Sequence, residues 1–187
     1  MRKLVVVLGV FLLSSIAVLA QQKEIDTDLS KIEWLGKKVT GQHKGDISFK
    51  SGYVNYEGKN ITGGVLVVDM NSITCTDLTN ADYNAKLVGH LKSDDFFGVA
   101  SNPYSELKIT NASKAGNKYA VKASLTIKGK THPVEFTVTE AGGKLTGIIK
   151  VDRTLYDVRY GSGKFFDDLG DKMIYDIFEL TFNVLLK

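Results

Sequence analysis

The side chains of this chain best equipped for chemistry are His43, His90, His132, Arg153 and a single cysteine, Cys75. Imidazoles bind zinc or move protons near neutral pH. The intervals of 47 and 42 residues between the three histidines match no metal-site spacing, so they carry no metal signal. A hydrolytic triad would need His43 or His90 to meet a serine and an aspartate in space. No Gly-x-Ser-x-Gly elbow, His-Glu-x-x-His helix, phosphate loop or Gly-x-Gly-x-x-Gly turn accompanies them. Cys75 stands alone, which excludes an internal disulfide and a Cys-based metal cluster and leaves a small buried apolar side chain. No catalytic residue, metal or cofactor is expected.

The elements that must position these residues have a period of two. Tyr119, Val121, Ala123, Leu125 and Ile127 alternate with polar neighbours; after Gly129-Lys130, Val134, Phe136 and Val138 do the same, which predicts an antiparallel hairpin. Leu145, Ile149 and Val151 define another strand, and Phe178, Leu180, Phe182, Val184 and Leu186 the closing one. Further strands are expected near 31–39, 42–50, 52–57, 61–70 and 106–111, with turns at Ser51-Gly52, Glu57-Gly58 and Ala141 to Gly143. About eight strands at this spacing suit a closed antiparallel barrel, because parallel strands would need crossover helices. One stretch departs from the pattern. Near 80–97 the period becomes helical, with Leu87, Val88 and Leu91 on one stripe and Gly98 as a stop, delivering Phe96 and Phe97 to one barrel end. A shorter helical stretch is expected between Phe165 and Met173.

Parity then sorts the polar residues. Counting back from Phe49 and Ile47 through Gly45 puts His43 on the dry face, and counting on from Ile149 and Val151 does the same for Arg153. A buried charge without a partner costs several kcal/mol. Two readings follow: both residues sit at a barrel rim or pair with Asp69, Asp152 or Asp157, or both hold the polar end of a ligand whose apolar part fills the interior. His90 reads as a helix-to-barrel packing contact, and His132, beside Pro133, as solvent-facing.

The N-terminus carries its own signal. Met1-Arg2-Lys3, an uncharged run from Leu4 to Leu19 and Val18-Leu19-Ala20 predict a signal peptide at 1–20 and a single domain at 21–187. No cysteine follows to take a lipid anchor, and no later run reaches transmembrane length. Loss of Arg2 and Lys3 leaves 22 basic and 21 acidic groups, a net of +1 rather than +3. That balance argues against nucleic acid as a partner, since no basic run exists to release counterions.

Five blocks in order carry a resemblance. They are Ser30 to Gly45 (with Trp34-Leu35-Gly36 and His43-Lys44-Gly45), Leu87 to Phe97, Leu125 to Val134, Val151-Asp152-Arg153, and Tyr160-Gly161 followed by the closing strand. Together they resemble one branch of the YceI-like family, the polyisoprenoid-binding proteins. The resemblance implies an all-β, lipocalin-like antiparallel barrel, exported to the periplasm or secreted. It implies an apolar tunnel for an isoprenoid chain such as that of a quinone or polyprenyl derivative, with no metal, covalent cofactor or catalytic residue.

The expected function is therefore an exported carrier or store of an amphipathic isoprenoid-type lipid, not an enzyme. Its tail would meet Trp34, Ile47, Phe49, Phe96 and Phe97 on one side, and Leu125, Phe136, Ile149, Phe178 and Phe182 on the other; its head would lie near His43 or Arg153. An eight-stranded barrel is also narrow enough to fill with its own side chains. The alternatives are thus a solid structural or stress-related barrel, or a lipid-modifying hydrolase. Exposed edges at the barrel seam would support a homodimer.

Overall fold

A computed structural model describes residues 20–187; of the expected leader at 1–20, all but Ala20 lies outside the described residues. The strands are β1 (Ala20–Glu24), β2 (Lys31–Lys38), β3 (Gly41–Glu57), β4 (Asn60–Asp69), β5 (Tyr104–Ala115), β6 (Lys118–Ile127), β7 (Lys130–Ala141), β8 (Lys144–Asp152) and β9 (Ile177–Leu185), with one α-helix, α1 (Ala81–Lys92). All pairings are antiparallel, in the order β1-β3-β2-β9-β8-β7-β6-β5-β4, and β4 returns to β3. The sheet is therefore a closed barrel of eight staves. β1 and β2 share one stave: β1 pairs with Tyr53 to Glu57 of β3, and β2 pairs with Gly41 to Ile47.

Closure explains the period-two sequence, since every second residue of each stave enters a common interior. Val54, Tyr119, Val121, Val151 and Val184 are at most 1% exposed. Two expectations need correction. The segments expected at 42–50 and 52–57 form one strand, with a bulge between Phe49 and Ser51 in place of a turn at Ser51-Gly52. A Cβ on Gly52 would lie 2.8 Å from Leu66 and 2.9 Å from the Val65 carbonyl oxygen, so glycine here serves close strand approach. Residues 165–173 hold only a 3-10 turn at Gly170–Lys172.

The two barrel ends differ. At one, β3–β4, β5–β6 and β7–β8 are joined by tight turns. There a carboxylate closes the interior: Tyr56 Oη donates to Glu140 Oε1 (3.0 Å), Tyr119 Oη lies 2.8 Å from Oε2, and Lys114 Nζ donates to Tyr119 Oη (2.7 Å). Burial pushes the Glu140 carboxyl up, but the two tyrosines and Lys114 outweigh it and hold its pKa below the ordinary value. The other end carries both long connections. Residues 70–103 include α1, and residues 153–176 fold back on the β2–β3 hairpin, where Tyr175 N–H donates to Lys37 O and Val39 N–H to Met173 O.

Arg153 holds that second connection. Its side chain is 2% exposed. The guanidinium donates to the carbonyls of Val158 (2.8 Å), Tyr160 (2.9 Å), Ile174 (3.0 Å) and Tyr175 (3.2 Å), and lies 3.6 Å from Asp176. The inward-pointing charge is thus compensated by backbone and by Asp176, the nearest carboxylate, with a smaller contribution from Asp152; neither Asp69 nor Asp157 pairs with it. Residues 73–77 cross the same end. Trp34 Nε1 donates to Thr74 O (2.9 Å), and a Cβ on Gly45 would lie 1.9 Å from that oxygen.

Two variants test these constraints. Glu140→Ala leaves the Tyr56 hydroxyl without its partner and is expected to cost about 1–3 kcal/mol at neutral pH in urea unfolding. Because the folded pKa is depressed, Glu140 contributes fully above its ordinary value of 4.5, and that contribution disappears as pH falls through the folded value. The variant should therefore lose less stability on acidification than the parent; an identical acid limb would refute the assignment. Gly45→Ala must move backbone, and is expected to cost about 1–3 kcal/mol and red-shift the emission of Trp34, the only tryptophan.

Candidate functional site

The closed interior is larger than its side chains fill. It holds a cavity of about 360 Å³, with a lining that is overwhelmingly apolar. It opens toward the end with the long connections, where Lys37, Lys38, Gln42, His43, His90, Ile174 and Tyr175 contribute to its wall.

All twelve residues singled out in the sequence line this cavity. Strand parity delivers Ile47 and Phe49 from β3, Leu125 from β6, Phe136 from β7, Ile149 from β8, and Phe178 and Phe182 from β9. Trp34 comes from β2. Phe136 meets Phe182 edge to face, with centroids 5.8 Å apart. That contact depends on Gly147: a Cβ there would sit 2.7 Å from the Phe182 ring.

The mouth is aromatic. Asn80 caps α1 by accepting from the Tyr83 N–H, and the helix ends at Ser93, whose Oγ donates to His90 O (2.8 Å). Gly98, with φ +55°, then turns the chain back. This turn brings Phe96 and Phe97 into contact with each other (5.4 Å) and Phe97 against Phe178 (6.2 Å). Leu87 and Leu91 of the helix stripe face the same cavity. His90 packs edge-on against Tyr160 (4.4 Å) and Phe96 (5.6 Å). Arg153 lies over the Phe96 ring at 5.7 Å, with four of its five N–H groups already given to carbonyls.

His43 is the polar mouth residue held in place by a partner of its own. Its Nδ1 lies 3.1 Å from Asp77 Oδ2, and its side chain is 34% exposed. The partner is thus Asp77, not the aspartates expected from sequence. Asp77 Oδ1 accepts from the Lys44 N–H (3.2 Å) and from Cys75 Sγ (3.0 Å). Burial pushes the Asp77 carboxyl up, yet these three hydrogen bonds hold its pKa below the ordinary value. An ionised carboxylate can only accept, so His43 Nδ1 is the donor of its pair with Asp77. The Cys75 thiol is pushed up by burial and by its bond to Asp77.

Sequence reasoning missed Asp77 and Asp176, which lie in irregular segments where parity has no meaning. It also mistook His132. That residue shares the phase of Val134, Phe136 and Val138, and is half-buried edge-on to Tyr156 at 5.2 Å. Both rings stand beside a stretch where β7 and β8 do not pair, since their ladder runs only from Val138–Gly147 to Ala141–Lys144. Among the described residues, no helix is long and apolar enough to cross a membrane.

Solved structures share this architecture. Burkholderia cenocepacia BcnA is 24% identical, with a TM-score of 0.67, over 86% of this chain and 98% of its own. A polyisoprenoid binding domain from Saccharophagus degradans, implicated in plant cell wall breakdown, is 13% identical with a TM-score of 0.60, over 88% of this chain and 97% of its own. A mutant of the Campylobacter jejuni YceI protein is 14% identical with a TM-score of 0.53, over 98% and 93%. No curated protein matches. The YceI-like domain matches residues 24–186, and with the five sequence blocks and the closed barrel in agreement, the chain belongs to the YceI-like family.

Proposed function

We propose that this protein is an exported, non-catalytic carrier or store of an amphipathic isoprenoid-type lipid, such as a quinone or polyprenyl derivative. The tail lies in the barrel and the head at the mouth near His43. The observation that carries this reading is the apolar cavity of about 360 Å³, within the range of about 300–1,000 Å³ usual for ligand sites. The family and the Saccharophagus degradans domain, described as polyisoprenoid binding, support the same ligand class. Export rests on the leader-like segment at 1–20.

Size weighs against a solid structural barrel. At about 24 cal/mol per Å³, a cavity of this volume left unfilled would cost about 9 kcal/mol. That is comparable to the whole net stability of a domain, about 5–15 kcal/mol. Retaining such a void makes physical sense where a ligand fills it. The mouth chemistry weighs against a hydrolase. Cys75 bonds to Asp77 rather than to His43, and its thiol pKa is raised, the opposite of an activated nucleophile. His43 Nε2 is placed to accept a hydrogen bond from a hydroxyl-bearing head.

Protein purified from its native host and extracted with organic solvent is expected to release an isoprenoid lipid detectable by mass spectrometry. Empty protein that also refuses added quinones and polyprenyl lipids would overturn the reading. Val121→Phe, which pushes a ring into the cavity from the middle of β6, should abolish uptake without lowering the melting temperature, since it fills space. A solid core would instead respond with the loss of about 1–3 kcal/mol typical of overpacking.

A further inference from the structure

The Cys75 thiol has no structural task that the chain does not already perform by other means. Residues 74–76 are fastened to β3 by Thr74 N–H to Asp46 O (3.0 Å) and Thr76 N–H to Lys44 O (2.9 Å), and Trp34 adds its bond to Thr74 O. Cys75 and Asp77, two apart along this extended segment, nevertheless point to the same side, and His43 reaches them from β3.

The geometry points to a mononuclear zinc site formed by His43, Cys75 and Asp77, with water as the fourth ligand. The three donor atoms lie within 4.8 Å of one another. Tetrahedral zinc, with bonds of about 2.0–2.3 Å, separates such ligands by about 3.3–3.6 Å. One ligand separation, His43 Nδ1 to Asp77 Oδ2, is already shorter than that at 3.1 Å, and Cys75 Sγ lies 3.0 Å from the other oxygen of the same carboxylate, Oδ1. Small rotations of three side chains therefore make the cage. The donor set suits a borderline-soft divalent ion, since thiolate, imidazole and carboxylate together exclude a preference for magnesium or calcium.

The surroundings fit as well. Asp77 Oδ1 is held by the Lys44 N–H (3.2 Å), which leaves Oδ2 for the metal with its partner oxygen anchored. A solvent-facing recess of about 350 Å³, lined by His43, Leu78, Tyr83, Lys86, Leu87 and His90, gives an entry path. Zinc would replace the Cys75 proton, which passes to solvent; thiolate and carboxylate then balance the charge of the ion. Coordination uses His43 Nδ1, and the donor set is complete without the barrel cavity, so the site does not rest on the lipid reading.

The test uses the purified protein, kept reduced with a phosphine and stripped of metal by a chelator. It is expected to take up one equivalent of zinc per chain. Cobalt in its place should produce a thiolate-to-metal charge-transfer band, and absorption at the zinc edge should show one sulfur scatterer. Cys75→Ser should abolish the band, Asp77→Asn should weaken binding at least tenfold, and His90→Ala should leave both unchanged. Absence of the cobalt–thiolate band in the parent protein, or zinc bound without a sulfur scatterer, overturns the proposal. So does loss of binding in His90→Ala, which would move the site to the recess.

Discussion

Closure of the sheet between β3 and β4 is the constraint from which the rest follows. Once eight antiparallel staves form a ring, every second side chain must enter one interior, and strand edges are left unpaired only where a ladder stops short, as between β7 and β8. The interior is then filled only in part. Aliphatic residues at alternate positions line it, and glycine at 147 is needed for the Phe182 ring to lie across the sheet toward Phe136. The same ring of hydrogen bonds thus creates both the core and the space inside it.

A tube needs a floor and a mouth, and connection length decides which is which. Tight turns bring Tyr56, Tyr119 and Glu140 together, and a carboxylate shared by two tyrosines and a lysine closes that end with a polar plug buried at modest cost. At the opposite end both long connections cross the opening. Arg153 is the reason one of them has a fixed shape: a guanidinium at 2% exposure would be untenable without four carbonyls and Asp176 around it. The charge orders the loop, and the loop in return solvates the charge. This leaves His43, with Lys37, Lys38 and Gln42, among the polar residues that face the mouth.

The barrel was legible because its period of two is strong in β6, β7, β8 and β9, and Leu125, Phe136, Ile149, Phe178 and Phe182 followed from that parity; Phe96 and Phe97 came instead from the helical stretch and its stop. The helix was legible from its stripe, but it ends at Lys92 with Ser93 as its cap, five residues short of the expected end at 97. What escaped has a common physical cause. Partners such as Asp77 and Asp176 come from segments whose direction is set by long-range packing, so no local period announces them. The split stave of β1 and β2 and the bulge at Phe49/Ser51 escaped for a related reason, since both are adjustments that a closed ring imposes on strands of unequal length. His132 is the exception, because its parity with Val134 and Phe136 was visible and the neighbouring Pro133 outweighed it.

Gly45 ties the two halves of the mouth chemistry together. Its missing side chain lets residues 73–77 lie against β3 with Thr74 O at the Trp34 indole, and together with the backbone bonds of Thr74 and Thr76 to β3 this brings Cys75 and Asp77 to His43. The imidazole is then divided between two surroundings. Nδ1 looks toward a carboxylate and a thiol, where charge and hydrogen bonds are concentrated; the ring itself stands in the wall of an apolar cavity, where a polar group has large directional consequence. A lipid head and a metal would therefore act on opposite nitrogens of one ring. Any occupant of the Nδ1 side that changes the basicity of the ring changes the acceptor offered to the cavity.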